Sequence, residues 1–290
     1  MWYNHIVTNK CFIIDGRRVA EQIRFACVMK AKEFERKYGR KCGLSIIWVG
    51  ENSSSEIYIR NKTIACEQVG IKIDVHHLRS SVTQDEVLAL IDRLNKSADV
   101  DGILIQLPLP NHIKPEIVLE RVAPDKDVDG LGSTNVARLF SGYRGIAPCT
   151  ALAVMELIKS TGVALTGKRA VVVGRSALVG RPVAQLLLNA DCTVTTAHTK
   201  TQNLGTVTRE ADILVVAAGS KHLVKADMVK PGAVVIDVGI NRVTGKADER
   251  TIYGDVDFDN VQRVAGYLTP VPGGVGPVTV AMLLRNVLGN

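Results

Sequence analysis

Arg169-Ala-Val-Val-Val-Gly174-Arg175-Ser176-Ala-Leu-Val-Gly180-Arg-Pro182 decides how this chain folds. A short run of β-branched residues ends at a glycine, and an amphipathic helical pattern opens at Gly180. Buried strand, glycine turn and helix, in that order, form the opening unit of a parallel sheet whose turn can face a phosphate-bearing ligand. The stretch departs from the dinucleotide fingerprint G-x-G-x-x-G. Ser176 stands where the second glycine lets the backbone approach a pyrophosphate. Alone, the motif suits an ordinary βα turn as well as a nucleotide site.

Outward from this turn the rhythm continues in both directions. Residues 193–197, 213–217 and 234–238 read as further strands, each apolar enough to be buried on both faces, and a last helix is predicted from 277 to 288. Toward the N-terminus, helical patterns at 18–38, 55–69 and 83–95 alternate with strand-like runs at 44–49, 72–77 and 102–105. A helix around 152–160 precedes the opening strand of the second half. Such alternation predicts an α/β protein with parallel strands and functional loops beyond their carboxyl ends. Its 290 residues fit two domains. The expected division is an N-terminal α/β catalytic domain over 1–149, to which helix 277–290 returns, and a Rossmann-type parallel-sheet domain over 150–276, with a cleft between them.

Composition narrows the function classes. With 46% hydrophobic and 22% charged residues the chain builds a real core, so disorder is not expected. The net charge of +7 is spread among acids rather than gathered into a basic run interleaved with aromatics, so no nucleic-acid partner is predicted. A mild basic excess suits an anionic small molecule equally well. The six cysteines contain no C-x-x-C pair, and the six histidines show no metal-ligand spacing; reduced thiols and no metal are expected. The N-terminal residues lack a basic segment followed by an apolar one, and no apolar run reaches membrane-spanning length. A soluble cytoplasmic protein without a membrane partner is the expectation, with an organelle address left open.

Charge also bears on the nucleotide. An acid at the end of the second strand would hydrogen-bond an adenosine ribose and repel a 2′-phosphate, but here that strand ends in His198-Thr199-Lys200. Arg175 in the first turn can make charge-assisted bonds to a phosphate, so NADP fits better than NAD.

Several other segments carry polar groups where such folds place ligands. Tyr58 and Lys62 stand four apart in a helical pattern, on one face and about 6 Å from each other. The pair can move protons, or it can be a lysine stem lying over a tyrosine ring. Asp101-Gly-Ile-Leu-Ile105-Gln106-Leu107-Pro108-Leu-Pro110 ends a buried strand with an amide that can touch ligand or cap the strand. Lys126-Asp127-Val-Asp129-Gly130 clusters carboxylates at a turn. Gly219, Asp237-Val-Gly239-Ile240-Asn241 and Gly254-Asp255-Val256 supply further loops on the presumed cofactor edge. Pro270-Val-Pro272-Gly273-Gly274-Val275-Gly276-Pro277-Val-Thr279 has almost no reactive side chains, so its contribution must come from backbone N–H groups in a restrained loop.

Taken in order, Ile14-Asp15-Gly16, Tyr58-x-x-x-Lys62, GILIQLPLP, KDVDG, Pro148-Cys149-Thr150, GRSALVGRP, GDV and PVPGGVGPVT resemble the bifunctional methylenetetrahydrofolate dehydrogenase/methenyltetrahydrofolate cyclohydrolase family across nearly the whole chain. The resemblance implies a homodimer that binds tetrahydrofolate one-carbon derivatives and NADP. It oxidises 5,10-methylenetetrahydrofolate and hydrolyses the methenyl product to 10-formyltetrahydrofolate. By motif match Lys62 is the central catalytic residue, Tyr58 and Gln106 shape its site and Asp129 binds the pterin. Ser55, Ile105, Leu107 and residues 272–276 (Pro272, Gly273, Gly274, Val275, Gly276) complete the folate side. Gly174, Arg175, Ser176, Gly180, Thr199, Gly219 and Ile240 would hold the nucleotide. A cationic ligand beside an amine disfavours its ammonium form, which suits a lysine to base catalysis, while neutral Gln106 orients it without an ion pair. Ile64, Ala151 and Ala153 depart from the family pattern, at positions that bear on folate-tail binding and on the linker.

Two other readings remain open on residues alone. A nucleotide-dependent dehydrogenase of another small substrate would not require GILIQLPLP together with PVPGGVGPVT. A catalytically silent nucleotide-binding subunit would not need Tyr58, Lys62, Gln106 and Asp129 together. A ligase activity is not expected, because no G-x-x-x-x-G-K-[ST] loop occurs.

Overall fold

The structure is a computed structural model that describes residues 11–244 and 250–289. The chain forms two units, one from residues up to 19 with 154–278, the other from 20–153 with the C-terminal residues from 279.

In chain order the elements are β1 (Phe12–Ile13), α1 (Gly16–Tyr38), β2 (Gly43–Val49), α2 (Ser53–Val69), β3 (Lys72–Leu78), α3 (Gln84–Lys96) and β4 (Gly102–Ile105). Then follow α4 (Pro115–Arg121), α5 (Ser133–Phe140), α6 (Cys149–Lys159), β5 (Arg169–Val173), α7 (Gly180–Asn189), β6 (Thr193–Ala197), α8 (Leu204–Thr208) and β7 (Ile213–Val216). The rest are β8 (Val234–Asp237), β9 (Asn241–Thr244), β10 (Arg250–Tyr253), α9 (Phe258–Val261), β11 (Tyr267–Leu268) and α10 (Val275–Val287).

The unit from 20–153 holds a parallel three-stranded sheet in the order β3-β2-β4. Central β2 pairs on both edges, which is why Leu44, Ile46 and Ile47 can be almost wholly buried. α3 packs Val87, Leu90, Ile91 and Leu94 against Ile47, Val49, Ile103 and Ile105. Its start is fixed by a reciprocal cap, in which the Thr83 hydroxyl accepts from the Glu86 N–H and the Glu86 carboxylate accepts from the Thr83 N–H at 2.8 Å. Asp101 ties the sheet's base together, accepting both Arg40 guanidinium nitrogens at 2.7 and 2.8 Å and the Gly43 N–H at 2.7 Å.

The other unit holds a parallel six-stranded sheet in the order β1-β11-β8-β7-β5-β6. From β5 the chain moves outward to β6, then crosses back to β7, β8 and β11 on the opposite side. The carboxyl end of β5 is therefore a topological switch point, where such sheets open a crevice for a ligand. The core on one face is built from Val171, Val173, Leu214, Val216, Val235 and Leu268.

Three features differ from the sequence-based expectation. β6 is not buried on both faces: Thr193, Thr195 and Thr196 are exposed because it is the sheet's edge strand and pairs only with β5. The N-terminal strand adds to the larger sheet beside β11, with Phe12 opposite Tyr267, a pairing that two residues of sequence could not announce. α10 begins at Val275, two residues earlier than expected, and passes from one unit into the other.

Candidate functional site

In the smaller sheet's unit, chemistry gathers at the carboxyl end of β4. Lys62 lies on α2 and is half-buried; its Nζ donates to Gln106 Oε1 at 3.1 Å. Gln106 follows β4 directly, is 8% exposed, and donates its own Nε2 to the Leu107 carbonyl at 2.7 Å. That second bond fixes the amide's orientation, leaving its oxygen for the lysine. Ile105 is buried at the strand end, Leu107 is half-buried, and Leu107–Pro108 is a cis peptide. Tyr58 stands one turn before Lys62 on the same helix and is 38% exposed. Ser55 belongs to α2, but its side chain lies outside the described residues.

The carboxylates of KDVDG divide their tasks. Lys126 Nζ caps the carboxyl end of α3 by donating to the carbonyls of Leu94, Asn95 and Ser97 at 2.8–3.0 Å. Asp127 is buried and accepts from the Gly132 N–H at 2.8 Å and from Asn135 Nδ2 at 3.1 Å. Burial pushes its carboxyl upward, against those hydrogen bonds. Asp129 is half-buried and lies against the Cys149 thiol. Burial drives that thiol far up, and the Asp129 charge adds to the effect. Asn286 on α10 secures the same region by donating to the Val128 carbonyl at 2.9 Å and the Ala147 carbonyl at 3.1 Å. Sequence reasoning missed Asn286; a lone asparagine near the end of an apolar helix was its only signal.

In the larger sheet's unit, the turn after β5 has the form a dinucleotide needs. Gly174 has φ +120°, and a Cβ there would overlap the Ala217 carbonyl, so only glycine fits. Ser176 takes on the work of a cap: its Oγ accepts from the backbone N–H of Val179 at 3.2 Å and of Gly180 at 3.3 Å, where α7 begins. Arg175 and Ser176 are exposed, as is Thr199 beyond β6. No acid stands at that strand end; Lys200 N–H turns back to His198 Nδ1 at 3.1 Å. Gly219 follows β7 and Ile240 follows β8, and Ile240 is 50% exposed despite its apolar side chain. The residues present thus fit a dinucleotide carrying a 2′-phosphate. Residues 272–276 lead into α10, with Val271–Pro272 cis, Pro272 and Gly276 exposed, Gly274 and Val275 buried, and Gly273 at φ +107° beside the Arg17 guanidinium. Among the described residues no group of histidine, cysteine and acidic side chains could hold a metal ion. No described helix is long and apolar enough to cross a membrane.

Fold and site define an α/β protein that carries a parallel-sheet nucleotide-binding unit and, in the unit of the small sheet, a helical lysine held by an amide. Residues 14–129 match the family described as tetrahydrofolate dehydrogenase/cyclohydrolase, catalytic domain, and residues 148–290 match its NAD(P)-binding domain. The chain belongs to the tetrahydrofolate dehydrogenase/cyclohydrolase family. It is 49% identical over 276 residues to the bifunctional protein FolD of Campylobacter concisus, covering 95% of this chain and 96% of that one. Among solved structures it is similar to the bifunctional FolD methylenetetrahydrofolate dehydrogenase/cyclohydrolase of Campylobacter jejuni, with TM-score 0.92 and 46% identity over 96% of this chain and 97% of the other. It is also similar to FolD of Trypanosoma brucei complexed with NADP cofactor and inhibitor, with TM-score 0.91 and 42% identity over 96% of each chain.

Proposed function

We propose that this chain is a bifunctional enzyme that oxidises 5,10-methylenetetrahydrofolate with NADP⁺ and hydrolyses the 5,10-methenyl product to 10-formyltetrahydrofolate. The observation that carries this reading is the 3.1 Å contact between Lys62 Nζ and Gln106 Oε1. It pairs a half-buried amine with a neutral amide that fixes where the amine points. The proposal rests also on family membership and on a β5 turn that suits NADP.

In this reading NADP⁺, when bound, supplies the hydride acceptor. Lone-pair donation from a folate nitrogen expels hydride from the methylene carbon, so the protein's task in oxidation is alignment. Arg175 and Thr199 face the 2′-phosphate, the backbone around Gly174, Ser176 and Gly180 faces the pyrophosphate, and Gly219 and Ile240 border the remainder. Hydrolysis makes a greater demand on side chains. As general base, Lys62 takes a proton from the water that attacks the methenyl carbon and returns it to N5 as the carbon–N5 bond breaks, while the remaining O–H proton passes to solvent and the formyl carbonyl forms. Gln106 aligns Lys62, Tyr58 packs on the folate, Asp129 accepts from the pterin, and Ser55, Ile105 and Leu107 border the same ligand. The reading includes a homodimer and a cytoplasmic site of action; free thiols at all six cysteines suit the latter.

Absorbance tests the proposal directly. Purified protein given methylenetetrahydrofolate should reduce NADP⁺ in preference to NAD⁺, with little or no methenyl accumulation. Failure to reduce either nucleotide would overturn it. Light scattering on the eluting peak, giving twice the mass of one chain, tests the dimer.

A further inference from the structure

The segments around Asp237 and Asp255 were legible in the sequence only as loops on the cofactor edge, yet they contain a carboxylate that accepts four hydrogen bonds. Asp255 has no exposed surface. Its Oδ2 accepts from the backbone N–H groups of Ala218 at 2.6 Å and Gly219 at 2.9 Å. Its Oδ1 accepts from the Ser220 N–H and from Asn241 Nδ2, both at 2.8 Å. Three successive N–H groups turned toward one point form a nest of the kind that usually holds a ligand anion. Here the nest is filled by the protein's own carboxylate.

Asp237 holds Asp255 in turn. It ends β8, is 3% exposed, and takes the Asp255 N–H at 3.0 Å and the Gly239 N–H at 2.9 Å on Oδ1, with the Val256 N–H at 2.9 Å on Oδ2. The Thr269 hydroxyl accepts from Asp237's own N–H at 2.8 Å. Two glycines make room for this relay. A Cβ on Gly239 would overlap the Asp255 carboxyl, and one on Gly254 would overlap the Asp237 carboxylate. The three residues held by Asp255 are themselves exposed, so this surface loop is moored from beneath rather than packed from above. The loop continues from Ala217, whose carbonyl lies where a Cβ on Gly174 would fall, so it also buttresses the β5 turn.

We propose that Asp255 is a positioning residue for NADP⁺, acting through the backbone of residues 218–220, with Asp237 fixing Asp255 in place. The inference rests on the reading above that the Gly174 turn, Gly219 and Ile240 border the nucleotide. Asp255 itself does not touch the nucleotide. It fixes the direction of three N–H groups and the height of the loop beside the β5 turn. An asparagine there keeps one accepting oxygen and presents an amide N–H to the other donors, so the loop must turn away.

The test uses the full chain with Asp255→Asn. The expected result is a KM for NADP⁺ raised at least ten-fold, a dehydrogenase kcat at saturating NADP⁺ within two-fold of the parent, and nucleotide-free hydrolysis of methenyltetrahydrofolate within two-fold. An unchanged KM, or a lower kcat at unchanged KM, would overturn the proposal. If Asp255→Asn does not fold, as loss of the hydrolysis would reveal, Asn241→Ala decides. It removes one of the four donors and keeps the carboxylate, so the KM for NADP⁺ should rise about three-fold or more; an unchanged KM overturns the inference. Fluorescence titration of the parent separates the two levels. Failure of the parent to bind NADP⁺ removes the underlying reading and the inference with it, whereas binding by the parent with an unaltered variant removes the inference alone.

Discussion

The two sheets of this protein end in different kinds of chemistry. In the proposed reading, the working groups at the carboxyl end of β4 are side chains: an amine on α2, an amide after the strand and a carboxylate in KDVDG. At the carboxyl ends of β5, β7 and β8 they are backbone N–H groups, and the buried acids there point inward to hold loops. The difference follows from the two reactions. Moving a proton at neutral pH requires a titratable group at the reacting atom, whereas passing a hydride between two bound molecules requires their alignment. On the proposed roles, one fold carries a site that a single substitution should silence and a site that a single substitution should loosen.

That contrast can be broken at its strongest point first. Lys62→Met should lower methenyl hydrolysis by about 10²–10⁴-fold, toward the rate in buffer, while leaving NADP⁺ binding intact. The decay of methenyl absorbance measures it, and parental hydrolysis in the variant would refute the role given to the amine. Arg175→Ala tests the other edge. Losing a charge-assisted contact with a 2′-phosphate should raise the KM for NADP⁺ about ten-fold and leave that for NAD⁺ unchanged, so the preference between nucleotides narrows. An equal effect on both nucleotides would mean that Arg175 does not read the 2′-phosphate.

A smaller effect distinguishes the buried acids from catalytic ones. Burial raises the Asp237 carboxyl to about 6, opposed by the N–H groups of Asp255, Val256 and Gly239, with the Asp255 charge adding to the rise. The folded state then keeps a proton that the unfolded chain loses near the ordinary carboxylate value. This group's contribution to stability is thus full below about pH 4 and is lost as pH rises through about 6. Urea midpoints of the parent relative to Asp237→Asn should shift in the parent's favour as pH falls from 7 to 5. A constant difference would show that Asp237 does not titrate in that window. The smallest expected response is at Cys66. Burial pushes its thiol up to about 12, opposed by Lys62, so iodoacetamide at neutral pH should leave it unmodified in the folded protein and label it once urea is added. Labelling under native conditions would mean that α2 opens more readily than its packing implies.

Much of this was legible along the chain. The alternating helices and strands emerge because apolar periodicity survives folding, and the glycine after Val173 marks its turn because no other residue fits there. The i, i+4 placement of Tyr58 and Lys62 is a property of one helix and needed nothing distant. KDVDG was harder. Its residues look interchangeable as charges, and only neighbours far away in sequence assign Lys126 to the end of α3, Asp127 to the start of α5, and Asp129 to the surroundings of Cys149. Ser176 likewise reads as a defect in a fingerprint until it is seen capping α7. The edge position of β6 was hidden because strand order is absent from a strand's own residues.

The sequence by itself determined the α/β class, the glycine turn, the lysine on its helix, the missing acid at the end of β6 and the family that these motifs identify. Each of these depends on local periodicity or on a residue type with no substitute. Only the tertiary structure decided which carboxylates meet backbone donors, that Asp255 fills a nest made by residues more than thirty positions away, and that β1 lies beside β11. Backbone N–H groups are the same at every residue, so no side-chain pattern records where they point. Their partners are chosen by how the chain returns on itself.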